Sequence, residues 1–187
     1  MSLYRMFDAS EPPQRAPGGC QLVMGYIGRE GYTPHVWTIP EWQRFAGFRQ
    51  VPIWVPDLGA SPAAEAQAAT SAAFGLGWAK GRAIVIDFET AGAPERSWWD
   101  ACADAIDVAG MTGVAYGSAS TVFQLDAGLD GLVGVADWDG EEDLEPQQSV
   151  VFHQYQANKQ LPGGGLIDLS IADEWLYLSA GVGPRHD

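Results

Sequence analysis

Short apolar runs recur along the chain, and amphipathic or alanine-rich segments separate most of them. The most apolar run, Ala83 to Ile86, is rich in β-branched residues and does not alternate with polar ones. That pattern is typical of a parallel strand buried on both faces. Together the runs predict eight short strands, at Tyr4 to Asp8, Leu22 to Ile27, Val51 to Val55, Ala83 to Ile86, Gly113 to Tyr116, Gly131 to Asp137, Ser149 to Tyr155 and Leu166 to Asp168.

Helix-start signals precede most of the segments between these runs. Ser61 is a predicted N-cap, Pro62 suits the first helical position, and the alanine-rich stretch to about Lys80 favours a helix packed closely on a sheet. Further helices are predicted from Thr38 to Phe48, from Pro94 to Ala109, in a short segment after Ser118, and from an N-cap at Ser170 through Leu178. Eight parallel strands with helical crossovers predict an α/β fold, a single small (β/α)8 TIM-type barrel over residues 1–187 with some outer helices short or missing.

Acidic residues stand at the carboxyl ends of several predicted strands. Asp87 and Glu89 follow the Ala83 to Ile86 run at i and i+2, so their side chains point the same way, with Cα atoms about 6.5 to 7 Å apart. Three more predicted strands end on an acid: Asp8, Asp137 and Asp168. In a closed barrel these ends converge on one mouth, where ligands bind. Alternatively, a surface loop begins one residue early and Asp87 caps its turn.

Clustered carboxylates repel one another, so at least one of them should hold its proton near neutral pH. A protonated acid beside an ionised one is the arrangement that glycosidases use. Sugar sites also use flat aromatic faces, and candidates lie at or just beyond the strand ends: Trp54, Trp138, Tyr116, Tyr155 and Trp37. Each is also explained as a core residue with a polar handle. His153, on a predicted strand, is interpreted as a hydrogen-bonded barrel residue and not as a base.

The charge balance and the cysteine count exclude other classes of function. The formal net charge is -14 and no Lys or Arg cluster occurs, so we expect no binding to nucleic acid or polyanionic membranes. No apolar run approaches the roughly 18 to 20 residues of a membrane span, and the first residues lack a signal-peptide core, so neither membrane insertion nor an export signal is expected. Cys20 and Cys102 are predicted to be free thiols, and we expect no metal and no cofactor.

Six motifs occur in an order and spacing that resemble the family 25 glycoside hydrolases, which are lysozymes. They are Phe7-Asp8-Ala9-Ser10, Val85-Ile86-Asp87-Phe88-Glu89, Ala115-Tyr116-Gly117-Ser118, Val135-Ala136-Asp137-Trp138, His153-Gln154-Tyr155 and Ile167-Asp168-Leu169-Ser170. The resemblance covers nearly the whole chain. It is closer still to the glycoside-hydrolase-like domains of actinobacteria and their phages, for which catalysis is generally inferred.

The resemblance implies roles for individual residues. Glu89 would be the general acid that protonates the leaving glycosidic oxygen. Asp87 would be the second carboxylate, which orients the substrate N-acetyl group or stabilises the oxocarbenium ion. Asp8 and Asp168 would line the same floor. The substrate-binding residues are expected to be Asp137, Trp138, Tyr116, Tyr155 and Trp54.

Two hypotheses about function follow. In the first, the barrel cleaves the β-1,4 linkage of peptidoglycan or a related amino-sugar glycan by carboxylate acid/base catalysis, with a glycan as its partner and the bacterial cell wall as its place of action. In the second, a catalytically weak or inactive barrel serves as a phage virion or cell-surface protein that binds glycan or docks on a larger assembly. The intact Asp87-x-Glu89 pair and the flanking aspartates Asp8 and Asp168 favour the first. The strong acidity and the expected lack of an export signal and of a wall-binding module favour the second. The extra acids Asp137 and Asp139 depart from the family pattern and suit a different glycan or none.

Overall fold

Eight strands close into a barrel, and their order around it follows the chain. The computed structural model describes residues 2–28, 33, 35–126, 132–144, 149–162 and 164–181. The strands are β1 (Tyr4–Asp8), β2 (Leu22–Tyr26), β3 (Arg49–Trp54), β4 (Ala83–Asp87), β5 (Thr112–Ser118), β6 (Leu132–Ala136), β7 (Val150–Gln160) and β8 (Leu166–Ala172). The helices are α1 (Ile39–Gln43), α2 (Pro62–Gly75), α3 (Phe88–Ala91), α4 (Arg96–Ala109), α5 (Ala119–Asp126) and α6 (Glu174–Ser179).

The direction of the last strand departs from the prediction. Strands β1 to β7 run parallel to one another, whereas β8 is antiparallel to both β7 and β1. The barrel itself is confirmed, but the prediction of eight parallel strands is wrong. The cause is the short link from β7 to β8, in which the Leu161 amide donates to the Gly165 carbonyl at 3.1 Å. A parallel return needs a crossover of about a dozen residues or more.

The reversal of β8 changes the position of Asp168 along its strand. Asp168 is the third residue of β8 and not its last, as the sequence predicted. Because β8 is antiparallel, its amino-terminal half lies at the same mouth as the carboxyl end of β1. The register places Asp168 directly opposite Asp8. Both acids therefore reach one mouth, as expected, although β8 runs in the opposite direction to the one predicted.

Alternate residues of the strands pack into two apolar layers. One layer fills the barrel interior with side chains that include Met24, Val85 and Phe152. The other joins the outer faces of the strands to helical residues such as Ala69 and Ile106. Position 134 of β6 has to be glycine, since a Cβ atom there would lie 2.0 Å from the Phe152 ring in the barrel interior. The interior is thus filled by side chains and open only at its ends, as in other small barrels.

The helix predictions hold in part. Ser61 caps α2 by accepting a hydrogen bond from the Ala64 amide, but the helix ends at Gly75 and not near Lys80. The cap predicted at Ser170 is wrong, because Ser170 is buried in β8 and Asp173 caps α6 instead. Gly131, the predicted start of the sixth strand, lies outside the described residues.

The outer layer of helices is incomplete, as predicted. Segment 9–21 connects β1 to β2 without a helix, and α1 has only five residues. Segment 137–144, which follows β6, also contains no helix. Within the described ranges, no helix combines the length and the apolar character that a membrane crossing requires.

Candidate active site

Four carboxyl groups meet at the mouth formed by the carboxyl ends of β1 and β4. Asp8 ends β1, Asp87 ends β4, Glu89 lies in the first turn of α3, and Asp168 faces Asp8 from β8. The groups are close enough for their charges to act on one another: Asp168, Asp87 and Glu89 all raise the pKa of Asp8. The convergence predicted for this acidic set is confirmed.

Asp87 is buried, at 1% exposure, and is surrounded by donors. As the N-cap of α3, its Oδ1 accepts from the amides of Glu89 at 2.8 Å and Thr90 at 3.3 Å. Its Oδ2 accepts from the Tyr26 hydroxyl at 3.2 Å. Burial raises the pKa of Asp87, and these hydrogen bonds oppose that rise. The donors favour the ionised form, because all of them point at oxygen lone pairs. Asp87 is thus both a strand end and a cap, and the alternative of an early surface loop is wrong.

Glu89 differs from Asp87 in its surroundings. The residue is open to solvent, and its Oε2 accepts one hydrogen bond, from the Tyr116 hydroxyl at 3.0 Å. Partial burial of the carboxyl raises its pKa; the Tyr116 hydroxyl opposes this, and the charges of Asp87 and Asp168 add to it. Two neighbouring carboxyl groups in such different surroundings can take the separate roles of an acid and a base.

Asp8 is the buried acid of the cluster that has an unpartnered carboxyl oxygen. It is 6% exposed, and its Oδ2 atom has no hydrogen-bond partner among the described residues. Burial, followed by the charges of Asp168, Asp87 and Glu89, holds the pKa of Asp8 well above its ordinary value. Asp8 therefore keeps its proton when its neighbours ionise, since adjacent like charges cannot all be present in a low-dielectric site.

Asp168 lies on the wall opposite Glu89. The Asn158 amide donates to its Oδ1 at 2.6 Å, and the Gln154 side chain makes a second hydrogen bond. Burial raises the pKa of Asp168, while these two hydrogen bonds lower it. Asp168 is only half-buried, so a ligand entering the mouth can reach it.

Gln154 links the acids to the aromatic residues, and sequence reasoning missed it. Its side chain is buried in β7, and its Oε1 accepts from the Tyr116 hydroxyl and from the Trp138 indole at 3.2 Å. An indole nitrogen can only donate, so the amide oxygen must face Trp138 and the amide nitrogen must face Asp168. A polar residue in an otherwise apolar strand, inside the His153-Gln154-Tyr155 motif, was the available signal.

Tyr116 lies between two acceptors, Glu89 and Gln154, but carries a single hydroxyl proton. Both contacts are satisfied at once only if Glu89 is protonated and donates to the Tyr116 oxygen. When Glu89 ionises, the Tyr116 proton turns to the carboxylate, since a hydrogen bond to a charged group is the stronger one. The network therefore accommodates both protonation states of Glu89.

No protein family and no curated protein matches the chain at the level of sequence. Solved structures do match it. An uncharacterised B. stearothermophilus protein aligns over 95% of this chain and 100% of its own, with a TM-score of 0.79 and 15% identity. A family 25 glycosyl hydrolase from Bacillus anthracis aligns over 91% and 90%, with a TM-score of 0.65 and 14% identity. A bacterial lysozyme from Streptomyces coelicolor aligns over 86% and 87%, with a TM-score of 0.65 and 16% identity.

The chain has the family 25 glycosyl hydrolase fold. The resemblance derived from the six sequence motifs is confirmed at this level. At such low identities a shared fold leaves the reaction open, because one barrel architecture serves many functions. A closer relationship to the actinobacterial and phage domains stays a prediction.

The barrel brings only some of the predicted aromatic residues to its mouth. Tyr116 and Trp138 lie there, and Trp138 is 60% exposed. Trp54 points away, and its indole donates to Glu65 of α2 at 3.1 Å. Trp37 is buried and donates to the Ala9 carbonyl at 3.1 Å.

Tyr155 and Asp137 also lie away from the acid cluster. Tyr155 packs in the outer apolar layer, and its hydroxyl donates to Glu142 at 3.2 Å. Asp137 is exposed just after β6, and its amide donates to the Gln154 carbonyl at 3.2 Å. For Trp54, Trp37 and Tyr155 the observed positions favour the core-packing alternative.

The cysteines are free, as predicted, and Cys102 is buried. Across the described ranges, no group of three or more His, Cys, Asp or Glu side chains is arranged to hold a metal ion.

Proposed function

We propose that the chain is a glycosidase that cleaves the β-1,4 linkage of peptidoglycan or a related amino-sugar glycan. The observation that carries the proposal is the contrast between two neighbouring carboxyl groups. The pKa values of both groups are raised, but Glu89 is open to solvent and accepts one hydrogen bond, from the hydroxyl that Tyr116 shares with Gln154. Asp87 is buried and accepts hydrogen bonds from two amides and a hydroxyl.

In the proposed reaction, Glu89 is the general acid. Its proton passes to the glycosidic oxygen as the bond to the sugar breaks, so that the leaving group departs as an alcohol. The Tyr116 proton then turns from Gln154 to the new Glu89 carboxylate and stabilises it. Water adds to the anomeric carbon of the sugar and releases a proton, and Glu89 is reprotonated for the next cycle. A raised pKa keeps Glu89 protonated at a higher pH than an ordinary glutamate, which suits this role.

Asp87 stays ionised and supplies negative charge where positive charge develops on the sugar ring. Its amide donors fix its orientation, so the carboxylate does not have to reorganise during the reaction. An alternative role for the same carboxylate is to orient the substrate N-acetyl group. Asp8 and Asp168 form a polar floor below the sugar, and Trp138 offers an exposed flat face at the rim.

The choice of substrate has two supports. The fold is shared with proteins described as a family 25 glycosyl hydrolase and a bacterial lysozyme. The mouth is acidic, which suits an uncharged amino-sugar backbone better than a polyanionic polymer. The proposed place of action is accordingly the bacterial cell wall.

The test compares the wild-type protein with Glu89→Gln on purified peptidoglycan, with new reducing ends as the readout. Glutamine keeps the size and the acceptor oxygen for Tyr116 but has no acidic proton. Turnover should fall by about a hundredfold or more. The matched control is Glu11→Gln, which removes an exposed carboxylate of segment 9–21 and should leave turnover unchanged. If wild type and Glu89→Gln both release only the background number of reducing ends, the hydrolase proposal is refuted for this substrate.

A second candidate is a glycan-binding barrel without turnover, attached to a virion or another surface assembly. The exposed indole of Trp138 favours it, since an aromatic face at the rim binds sugar whether or not cleavage follows. This alternative predicts that wild type and Glu89→Gln sediment equally with insoluble cell walls and that Trp138→Ala stays in solution. Cleavage by the wild-type protein would exclude it.

A further inference from the structure

His153 is a buried residue that the proposed reaction does not use. It lies on β7 beside Gln154, is 0% exposed, and is covered by segment 137–143, which follows β6. Its Nε2 lies 2.8 Å from the Asp137 carbonyl oxygen, and its Nδ1 lies 2.7 Å from the Asp143 carbonyl oxygen. Both ring nitrogens thus face backbone acceptors at hydrogen-bond distance.

This geometry selects one protonation state of the ring. A carbonyl oxygen only accepts, and a neutral imidazole has one donor, so it can serve one of the two carbonyls. The imidazolium has two donors and serves both. A neutral ring would direct a nitrogen lone pair at the second carbonyl, an unfavourable contact inside a buried site.

The surrounding charges support the same state. The Asp139 carboxylate lies 3.8 Å from Nε2, and the Asp143 carboxylate lies 3.9 Å from Nδ1. Of the neighbouring strands, β6 carries no titratable residue, and the only one in β8 is Asp168, which binds the Asn158 amide. On β7 itself the titratable side chains besides His153 are Tyr155, bonded to Glu142, and Lys159.

Segment 137–143 carries Trp138, the exposed aromatic residue at the barrel mouth. Trp138 follows Asp137 directly, and its indole reaches Gln154 at 3.2 Å. The Gly140 amide donates to the Tyr155 carbonyl at 3.0 Å, so the segment lies along β7 in place of an outer helix. His153 bonds the segment on both sides of that contact.

We propose that His153, as an imidazolium, is a positioning residue that holds segment 137–143 and therefore Trp138 at the barrel mouth. The consequence for substrate rests on the proposed function, with Trp138 as the sugar platform. The hydrogen bonds by which His153 holds the segment do not depend on that function.

The first test is NMR at neutral pH, with signals from both ring nitrogens of His153 and from the Trp138 indole. His153→Gln and Trp138→Phe assign the signals. Both ring nitrogens should carry protons in the wild-type protein, and the Trp138 indole signal should move in His153→Asn. His35→Asn is the control and should leave the indole signal in place, because His35 bonds Glu41 at 3.0 Å and does not contact the segment. A bare His153 nitrogen, or an indole signal that is unchanged in His153→Asn, would overturn the proposal.

The second test is a pair of variants that each restore one donor. The amide nitrogen of Gln occupies the place of Nε2, so His153→Gln should keep the bond to Asp137. The amide nitrogen of Asn occupies the place of Nδ1, so His153→Asn should keep only the bond to Asp143. We expect His153→Gln to retain KM, because it keeps the bond to Asp137, the residue next to Trp138. We expect His153→Asn to raise KM by about two- to tenfold at unchanged kcat, the effect of one hydrogen bond.

Equal KM values for both variants and the wild type would contradict a positioning role. If the wild-type protein shows no turnover, the hydrolase proposal fails, and the Trp138 indole signal of His153→Asn still decides the positioning role. If turnover is present but the indole signal is the same in His153→Asn and the wild type, the positioning role fails and the hydrolase stands. Should His153→Asn not fold, the protons on the two ring nitrogens of the wild-type protein remain decisive.

Discussion

Replacing Asp8 with Asn should stabilise the protein at neutral pH. Burial and three neighbouring acids hold the pKa of Asp8 well above its ordinary value, so the folded state binds a proton that the unfolded chain releases. Above the unfolded-state pKa, folding therefore has to take up a proton or bury an unpartnered charge. Asn is neutral at every pH and avoids this cost, while its amide can donate to the neighbouring carboxylates.

The sign of the pH dependence follows from the direction of the shift. A raised folded-state pKa gives stability that is fully present below the unfolded-state pKa and is lost as the pH rises toward the folded-state pKa. Each unit between the two values costs about 1.4 kcal/mol once the pH exceeds both. For a chain of this size that corresponds to roughly 3–6 °C in Tm per unit. The pKa values of Asp87, Glu89 and Asp168 are raised too, so the wild-type protein should lose stability between pH 4 and 8.

The assay is urea unfolding of the wild-type protein and Asp8→Asn at intervals from pH 4 to 8. The two free energies of unfolding should be similar near pH 4 and diverge in favour of the variant as the pH rises. Glu11→Gln, which removes an exposed carboxylate, is the matched control for the change in net charge and should follow the wild type. A constant difference at all pH values, or a variant that is less stable at neutral pH, would show that Asp8 is ionised in the folded state and would refute the argument.

Three further outcomes are expected. Asp87→Asn should lower kcat on peptidoglycan by about a hundredfold or more, because a neutral amide cannot balance positive charge on the sugar ring; an unchanged kcat would exclude that role. Tyr116→Phe removes the hydroxyl that lowers the pKa of Glu89, so the alkaline limb of the profile of kcat against pH should move to higher pH. A shift to lower pH would show that the hydroxyl does not lower this pKa. Trp54→Phe deprives buried Glu65 of a donor and should cost about 1–3 kcal/mol in urea unfolding without changing KM. A higher KM would instead show that Trp54 contacts the sugar, as the sequence predicted.

Much of the fold and the acid pair could be derived from local sequence patterns. The unbroken apolar run before Asp87 identifies a strand buried on both faces, and that strand is observed as β4. The Asp87-x-Glu89 pair follows this strand directly, but the extended i, i+2 geometry predicted for it is wrong, because β4 ends at Asp87 and Glu89 lies in the first turn of α3. Such features depend on residues next to one another in the chain, so no knowledge of distant contacts is needed.

The direction of β8 was decided by the tertiary structure. The hydrophobic pattern of β8 is the same whether the strand runs parallel or antiparallel to its neighbours, so periodicity cannot give its direction. The five-residue link 161–165 and the pairing with β1 determine it, and they place Asp168 opposite Asp8.

The assignment of side chains to the two faces of each strand also needed the tertiary structure. Both faces of the barrel wall are buried, so Trp54, which faces α2, and Gln154, which faces the interior, sit in equally apolar surroundings along the sequence. A shift of one residue in register would exchange the two faces. The pairing of β7 with β6 and β8, including its irregular steps, sets that register. For this reason the strand-end acids could be read from the sequence, while the residues that surround them depended on how eight strands close into one barrel.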